Sequence, residues 1–98
     1  MAHTVVLDAR IFEDDFRSIE RLQQQRLIRT IRKKLTTHPA EYGKPLSAGL
    51  KGFWKLKVGE FRVVYQIIEA RVEVYVISIG YRRNDEAYRI AAKRLKLL

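Results

Sequence analysis

The sequence predicts an α+β domain in the order β-α-α-β-β-β-α. This is a single domain over residues 1–98, an antiparallel sheet with an N-terminal helical hairpin and a C-terminal helix. Three observations carry the prediction. Apolar residues recur at helical spacing from Ile11 to Leu35 and then alternate from Phe53 onward. Residues 72–79 form an almost unbroken apolar run, as a strand buried on both faces requires. The last segment starts with acids and ends with bases, the polarity that complements a helix dipole.

Each element follows from its own residues. The β-branched run at residues 4–7 predicts a first strand. Ile11, Phe12, Phe16 and Ile19 fit one helical stripe, which Leu22, Leu27, Ile31 and Leu35 continue. One helix over residues 10–37 would have nothing of its own length to bury against in so small a domain. Two helices breaking near residues 18–20 are therefore expected, ended by Pro39. Residues 41–50, with Gly43, Pro45, Ser47 and Gly49, read as a loop. Residues 53–58 and 61–68 alternate around Gly59-Glu60, which suits a type II′ hairpin. Glu69-Ala70 is expected to make a second tight turn, completing a three-strand meander that the N-terminal strand could join. Asn84 reads as the N-cap of the last helix, with Asp85 and Glu86 in its first turn and Lys93, Arg94 and Lys96 in its last. The helices are expected on one face of the sheet.

Composition bounds the function. Twenty Lys and Arg against eleven Asp and Glu leave a formal charge of +9, while 47% hydrophobic residues suffice for a core. The chain is therefore expected to prefer polyanions. Residues 1–49 hold nine bases against six acids and the remainder eleven against five, so the excess is greater where the strands lie. Cysteine is absent, which excludes disulfides, thiolate metal sites and a cysteine nucleophile. No apolar run approaches the roughly 18 residues of a membrane span, and the first residues lack a signal-peptide pattern, so a cytoplasmic, membrane-free protein is expected.

The charge has a pattern. Alternation sends Lys55 and Lys57 to one face of their strand and Trp54, Leu56 and Val58 to the other. With Gly59-Glu60 as the turn, Lys57 falls opposite Arg62 and Lys55 opposite Val64. Like charges facing each other destabilise a sheet, so this face is expected to hold an anion. Arg82 and Arg83 follow the buried strand, and a loop could bring them to the same face. Tyr81 and Tyr88 flank that pair, and unstacked RNA bases stack on tyrosine and arginine planes. There is no His-x-Glu, no carboxylate cluster for a metal and no Gly-rich phosphate loop, and His3 and His38 lie away from the cluster and are expected at the surface. RNA carries its own nucleophile, the 2′-OH. Lysines and arginines can position it, remove its proton, balance the phosphorane charge and protonate the leaving 5′ oxygen without a metal or other cofactor.

The segments Leu50-Lys-Gly-Phe-Trp-Lys-Leu-Lys-Val-Gly-Glu-Phe-Arg-Val-Val-Tyr-Gln-Ile, Val74-Tyr-Val-Ile-Ser-Ile-Gly-Tyr-Arg-Arg and Glu86-Ala-Tyr88 resemble the RelE branch of the RelE/ParE toxin superfamily. The resemblance implies the same element order and a type II toxin that cleaves mRNA in the ribosomal A site. It further implies a cognate antitoxin as hetero-oligomeric partner, with the 70S ribosome and mRNA as target. Lys55, Lys57, Arg62, Arg82 and Tyr88 match its functional set. By that analogy Lys57 is the general base and Arg82 the general acid. Lys55 and Arg62 hold the phosphate, and Tyr88 stacks on a base. Lys51, Tyr81 and Arg83 are further RNA-binding candidates, and Arg83 is a second candidate for the Arg82 role. The turn between Lys57 and Arg62 is about two residues shorter than in the best-known relatives, and the C-terminal His of sister nucleases is absent. The alternative is a ParE-like inhibitor of DNA gyrase that hydrolyses nothing, which is not expected to keep that set as a whole.

Overall fold

The computed structural model describes residues 2–96. Strand β1 (Thr4–Leu7) leads into a short helix α1 (Ala9–Glu13) and a 3-10 turn (Asp15–Ser18). Helix α2 (Arg21–Leu35) follows, then a single turn α3 (Pro39–Tyr42) and the two-residue strand β2 (Lys44–Pro45). The remainder is β3 (Trp54–Val58), β4 (Phe61–Ile68), β5 (Glu73–Tyr81) and helix α4 (Glu86–Arg94). The predicted break between the N-terminal helices falls at Ile19, whose backbone is extended. No helix among the described residues is long and apolar enough to cross a membrane.

The sheet order is β1-β5-β4-β3-β2. The meander β3 to β5 pairs antiparallel, as expected, and β2, inside the stretch expected to be a loop, adds a further antiparallel strand, but β1 pairs parallel to β5, so the sheet is mixed. The reason is the long connection: the chain leaves β1 for the helical hairpin and the earlier strands before it forms β5, which lets β5 lie beside β1 in the same direction. The apolar β5 is thus central, with Val74, Val76, Ser78 and Ile79 fully buried. The β3–β4 register is the predicted one, with Val58 opposite Phe61, Lys57 opposite Arg62 and Lys55 opposite Val64. Gly59 takes φ 57 while Glu60 stays out of the left-handed region, as a type II′ turn requires.

The helices do not share one face. Ile11, Phe16, Leu27, Ile31 and Leu35 pack with Leu56, Phe61, Val63, Tyr65, Val76 and Ile79 on one side. On the other side α4 packs Ala87 and Ala91 against Val64 and Ile77, rimmed by Leu46, Leu50, Phe53, Tyr75, Tyr88 and Leu95. The amphipathic stripe of α2 alone buries three large aliphatic side chains, each contributing about 1.5–3 kcal/mol. What looked like a strand buried by one helical layer is buried by two.

Three local expectations are corrected. The β4–β5 connection is a 3-10 turn (Glu69–Arg71) plus Val72 at φ 49, rather than Glu69-Ala70 alone. Asn84 does not cap α4: Asn84 and Asp85 both adopt left-handed backbone, at φ 58 and 51, and Asp85 stands at the cap without a side-chain hydrogen bond. Two such residues in succession reverse the chain and fold α4 back onto the sheet, in a conformation that Asn and Asp tolerate best. His3, expected at the surface, is largely buried, with Nε2 3.7 Å from Glu69.

Helix α4 is held by more than its alanines. Arg94, which reads as a helix-dipole base, is instead a buried ion-pair partner: its guanidinium clamps Asp15 and donates to the Ile77 carbonyl at 2.8 Å. Asp15 also accepts from the Ile79 amide at 2.9 Å. Ser78 Oγ donates to the Ala87 carbonyl at 2.8 Å. At Gly80 a Cβ would lie 2.8 Å from the Ala87 nitrogen, so helix and strand approach as only glycine permits.

Candidate nucleic-acid interface

Lys55, Lys57 and Arg62 project to the α4 side of the sheet, because Trp54, Leu56, Val58, Phe61 and Val63 are committed to the opposite core. Lys57 is exposed, and Lys55 and Arg62 are half-buried. The Arg62 guanidinium turns back over the hairpin, donating to the Gly59 carbonyl at 3.1 Å and the Phe61 carbonyl at 2.9 Å. That geometry relieves part of its repulsion with Lys57. Among the described residues none of Lys55, Lys57, Arg62 or Arg82 has a carboxylate within ion-pair distance.

Tyr88 comes to this face from α4. Burial pushes its phenol above the ordinary value, the positive charge of Arg62 beside it pulls the other way, and Asp85 adds to the upward shift. The Tyr88 ring rims the α4-side cluster and Arg62 projects to that same side, so the reversal at Asn84 and Asp85 brings together residues 26 positions apart in the chain. Arg82 sits at the same end of the sheet, its backbone N–H donating to the Glu60 carbonyl at 2.8 Å. It lines a hollow of about 190 Å³ with Glu60, Tyr81 and Arg83.

The remaining candidates separate. Tyr81 faces the helical-hairpin side, its ring centroid 4.8 Å from that of Phe61 and its hydroxyl donating to the Ser18 carbonyl at 3.2 Å. Arg83 lies over the Tyr81 ring, 4.5 Å from its centroid. Those two residues engage each other rather than Tyr88. Lys51 is exposed at the end of the 3-10 turn Ala48–Leu50, on a loop whose Leu50 and Phe53 join the α4 side. No cluster of three or more His, Asp or Glu side chains suited to a metal occurs among the described residues.

One cation escaped the sequence reading. Strand β2 places Lys44 directly opposite Lys55, a second like-charge pair on the same face. A strand of two residues, one of them proline, leaves no period to detect.

This sequence and fold have known relatives. The profile of the ParE toxin of type II toxin–antitoxin systems, parDE, matches residues 9–86. The chain belongs to this ParE toxin family. Within the family its relatives lie on the RelE branch. It is 46% identical over 41 residues to the mRNA interferase toxin RelE of Escherichia coli K12, an alignment covering 42% of this chain and 43% of that protein. The chain thus spans about half the length of the curated relatives it matches. A free-state variant of the E. coli RelE toxin superposes with a TM-score of 0.73 at 29% identity, over 97% of this chain and 99% of that one. The RelBE2 toxin–antitoxin complex of Mycobacterium tuberculosis gives a TM-score of 0.77 at 20% identity, over 86% of this chain and 95% of that one, a likeness of fold.

Proposed function

We propose that this protein is the toxin of a type II toxin–antitoxin pair, a ribosome-dependent endoribonuclease that cuts mRNA in the A site. The observation that carries the reading is the Lys55–Lys57–Arg62 face, without an ion-pair partner among the described residues, with Tyr88 on the same side of the sheet. Anions fit such a face, and the sheet accepts its like-charge contacts at a cost of some tenths of a kcal/mol.

In the reaction, Lys57 takes the proton of the 2′-OH and the 2′ oxygen attacks the adjacent phosphorus. The bond from phosphorus to the 5′ oxygen breaks, and Arg82 gives its proton to that oxygen. The products are a 2′,3′-cyclic phosphate and a 5′-OH. Lys55 and Arg62 offset the charge that builds on the phosphorane, where cationic donors contribute most to such a transition state. Tyr88 stacks on a base and fixes the in-line geometry. Arg82 is preferred to Arg83 as the acid, because Arg83 is engaged with Tyr81. Lys51 extends the RNA contact along the flanking loop. The cations of α2, Arg21, Arg26, Arg29, Arg32, Lys33 and Lys34, pair with no carboxylate among the described residues and serve salt-sensitive steering toward ribosomal RNA in the cytoplasm. A cognate antitoxin would neutralise this surface in a hetero-oligomer.

The family profile is that of ParE, which keeps gyrase inhibition as the competing reading. Purified protein, mRNA and 70S ribosomes separate the two. Primer extension should show A-site cuts that require ribosomes, with DNA supercoiling by gyrase unaffected. Inhibited supercoiling without cuts would establish the competing reading.

A further inference from the structure

Just beyond the end of β2, at the outer edge of β3, lies a second basic hollow. It measures about 90 Å³ and is lined by Lys34, Tyr42, Lys44, Lys55, Leu56 and Lys57. Among the described residues four lysines line it and no acidic side chain does. Tyr42 is 52% exposed, unusual for a large aromatic ring, with the Lys34 ammonium 5.3 Å from its centroid and the His38 ring edge-on at 6.1 Å. The backbone is built tightly around the place. A Cβ at Gly43 would collide with the Tyr65 hydroxyl, and that hydroxyl donates to the Pro39 carbonyl at 2.5 Å. Tyr42 and Lys44 are thereby anchored on either side of a fixed glycine.

We infer that this hollow is a second nucleotide subsite, in which Lys44 and Lys34 hold a backbone phosphate of single-stranded RNA and Tyr42 stacks on a base. The inference rests on the endoribonuclease reading for the identity of the strand. Lys55 and Lys57 line both sites, so a strand held at the cleavage face crosses the β3 edge into the hollow without leaving the cations. Lys44 stands one strand from Lys55, a Cα separation of about 5 Å for facing antiparallel residues. An exposed ring bordered by ammonium groups is the combination that sequence-tolerant single-strand binding uses: a π-face for the base and a charge for its phosphate. An acidic peptide would find the charges but would leave the ring without a planar partner.

The test is binding of a ten-nucleotide fluorescent RNA by anisotropy, beside A-site cleavage on programmed ribosomes. Tyr42→Ala should weaken RNA binding about tenfold, while Tyr42→Phe, which keeps the ring, binds as the parent does. Lys44→Ala should lower the slope of log affinity against log salt by about 0.7, the single-strand value for one phosphate contact. Melting temperatures report that each variant is folded. If Tyr42→Ala and Lys44→Ala bind RNA like the parent, or if the parent binds none, the subsite is refuted, whatever the cleavage assay gives. If they instead lose only affinity for an acidic antitoxin peptide, the hollow is a protein contact and the inference is overturned. Loss of binding in variants of a parent that fails to cut ribosomal mRNA would keep the subsite and remove the nuclease reading.

Discussion

Reversing the charge of Lys57 should stabilise the fold and destroy the activity. Lys57 and Arg62 are direct partners across β3 and β4. Opposite charges in that position contribute about 0.2–1 kcal/mol, and like charges cost a similar amount. Lys57 is exposed, so screening restricts each effect to the lower end of that range. The Arg62 guanidinium already donates to the Gly59 and Phe61 carbonyls, whose dipoles offset part of its charge and trim the repulsion further. Removing a repulsion and creating an attraction then gain about 0.5 kcal/mol together, or about 2–4 °C in melting temperature for a domain of this size. Calorimetry of Lys57→Glu in low salt should show that rise, and about 0.5 M salt should abolish most of it. Lys57→Gln should gain about half as much. Both variants should fail to cleave mRNA. A melting temperature well below the parent's, or a gain indifferent to salt, would show that Lys57 and Arg62 do not oppose each other in solution.

Removing Arg94 should be far more costly. Arg94→Ala leaves Asp15 buried without its cation, a loss of about 3–5 kcal/mol that urea denaturation would read, together with detachment of α4 and of Tyr88. Gly80→Ala puts a methyl into the Ala87 backbone and should cost about 1–3 kcal/mol while lowering cleavage, since α4 must move outward; unchanged activity and stability would mean that the helix is not seated as described. Acid should weaken the β1–α1 junction. Hydrogen bonds from the Arg10 side chain, reinforced by Tyr75 and the Arg10 amide, hold the Asp8 carboxyl well below its ordinary value of 3.8. A folded-state value depressed in this way contributes stability that is complete above the unfolded value and is lost as pH falls from about 4 through the folded one. Asp8→Asn should therefore lower stability at pH 7 and flatten its decline below pH 4, as denaturation at pH 7, 4 and 3 would show.

The meander was legible because its signals are local. Alternation and the Gly59-Glu60 turn fix the register of Lys57 against Arg62 from the sixteen residues 53–68, and the structure keeps it. The helical hairpin was legible from period alone, down to the break before α2. The layer order was not, because which face α4 covers depends on the backbone at Asn84 and Asp85, where a left-handed pair and a helix N-cap use the same residue types. Arg94 was misread for a related reason. A base in a last helical turn is usually solvated, and only the tertiary fold reveals that Asp15 lies beneath it. Of the candidate site, the β3 and β4 cations came from strand alternation. Tyr88 stood beside Tyr81 as an aromatic candidate until the family resemblance singled it out, and Lys44 needed the structure. Tyr81 and Arg83 looked equivalent to Tyr88 and Arg82 along the chain, yet alternation through β5 sends Tyr81 to the opposite core, with Arg83 over it.

The claim that a few misfit cations do chemistry is tested most directly by toe-printing on stalled, programmed ribosomes with Arg82→Ala and Arg83→Ala side by side. Arg82→Ala should lose A-site cleavage while keeping the parent's melting temperature, and Arg83→Ala should cut nearly as the parent does. Undiminished cuts by folded Arg82→Ala protein would contradict the account.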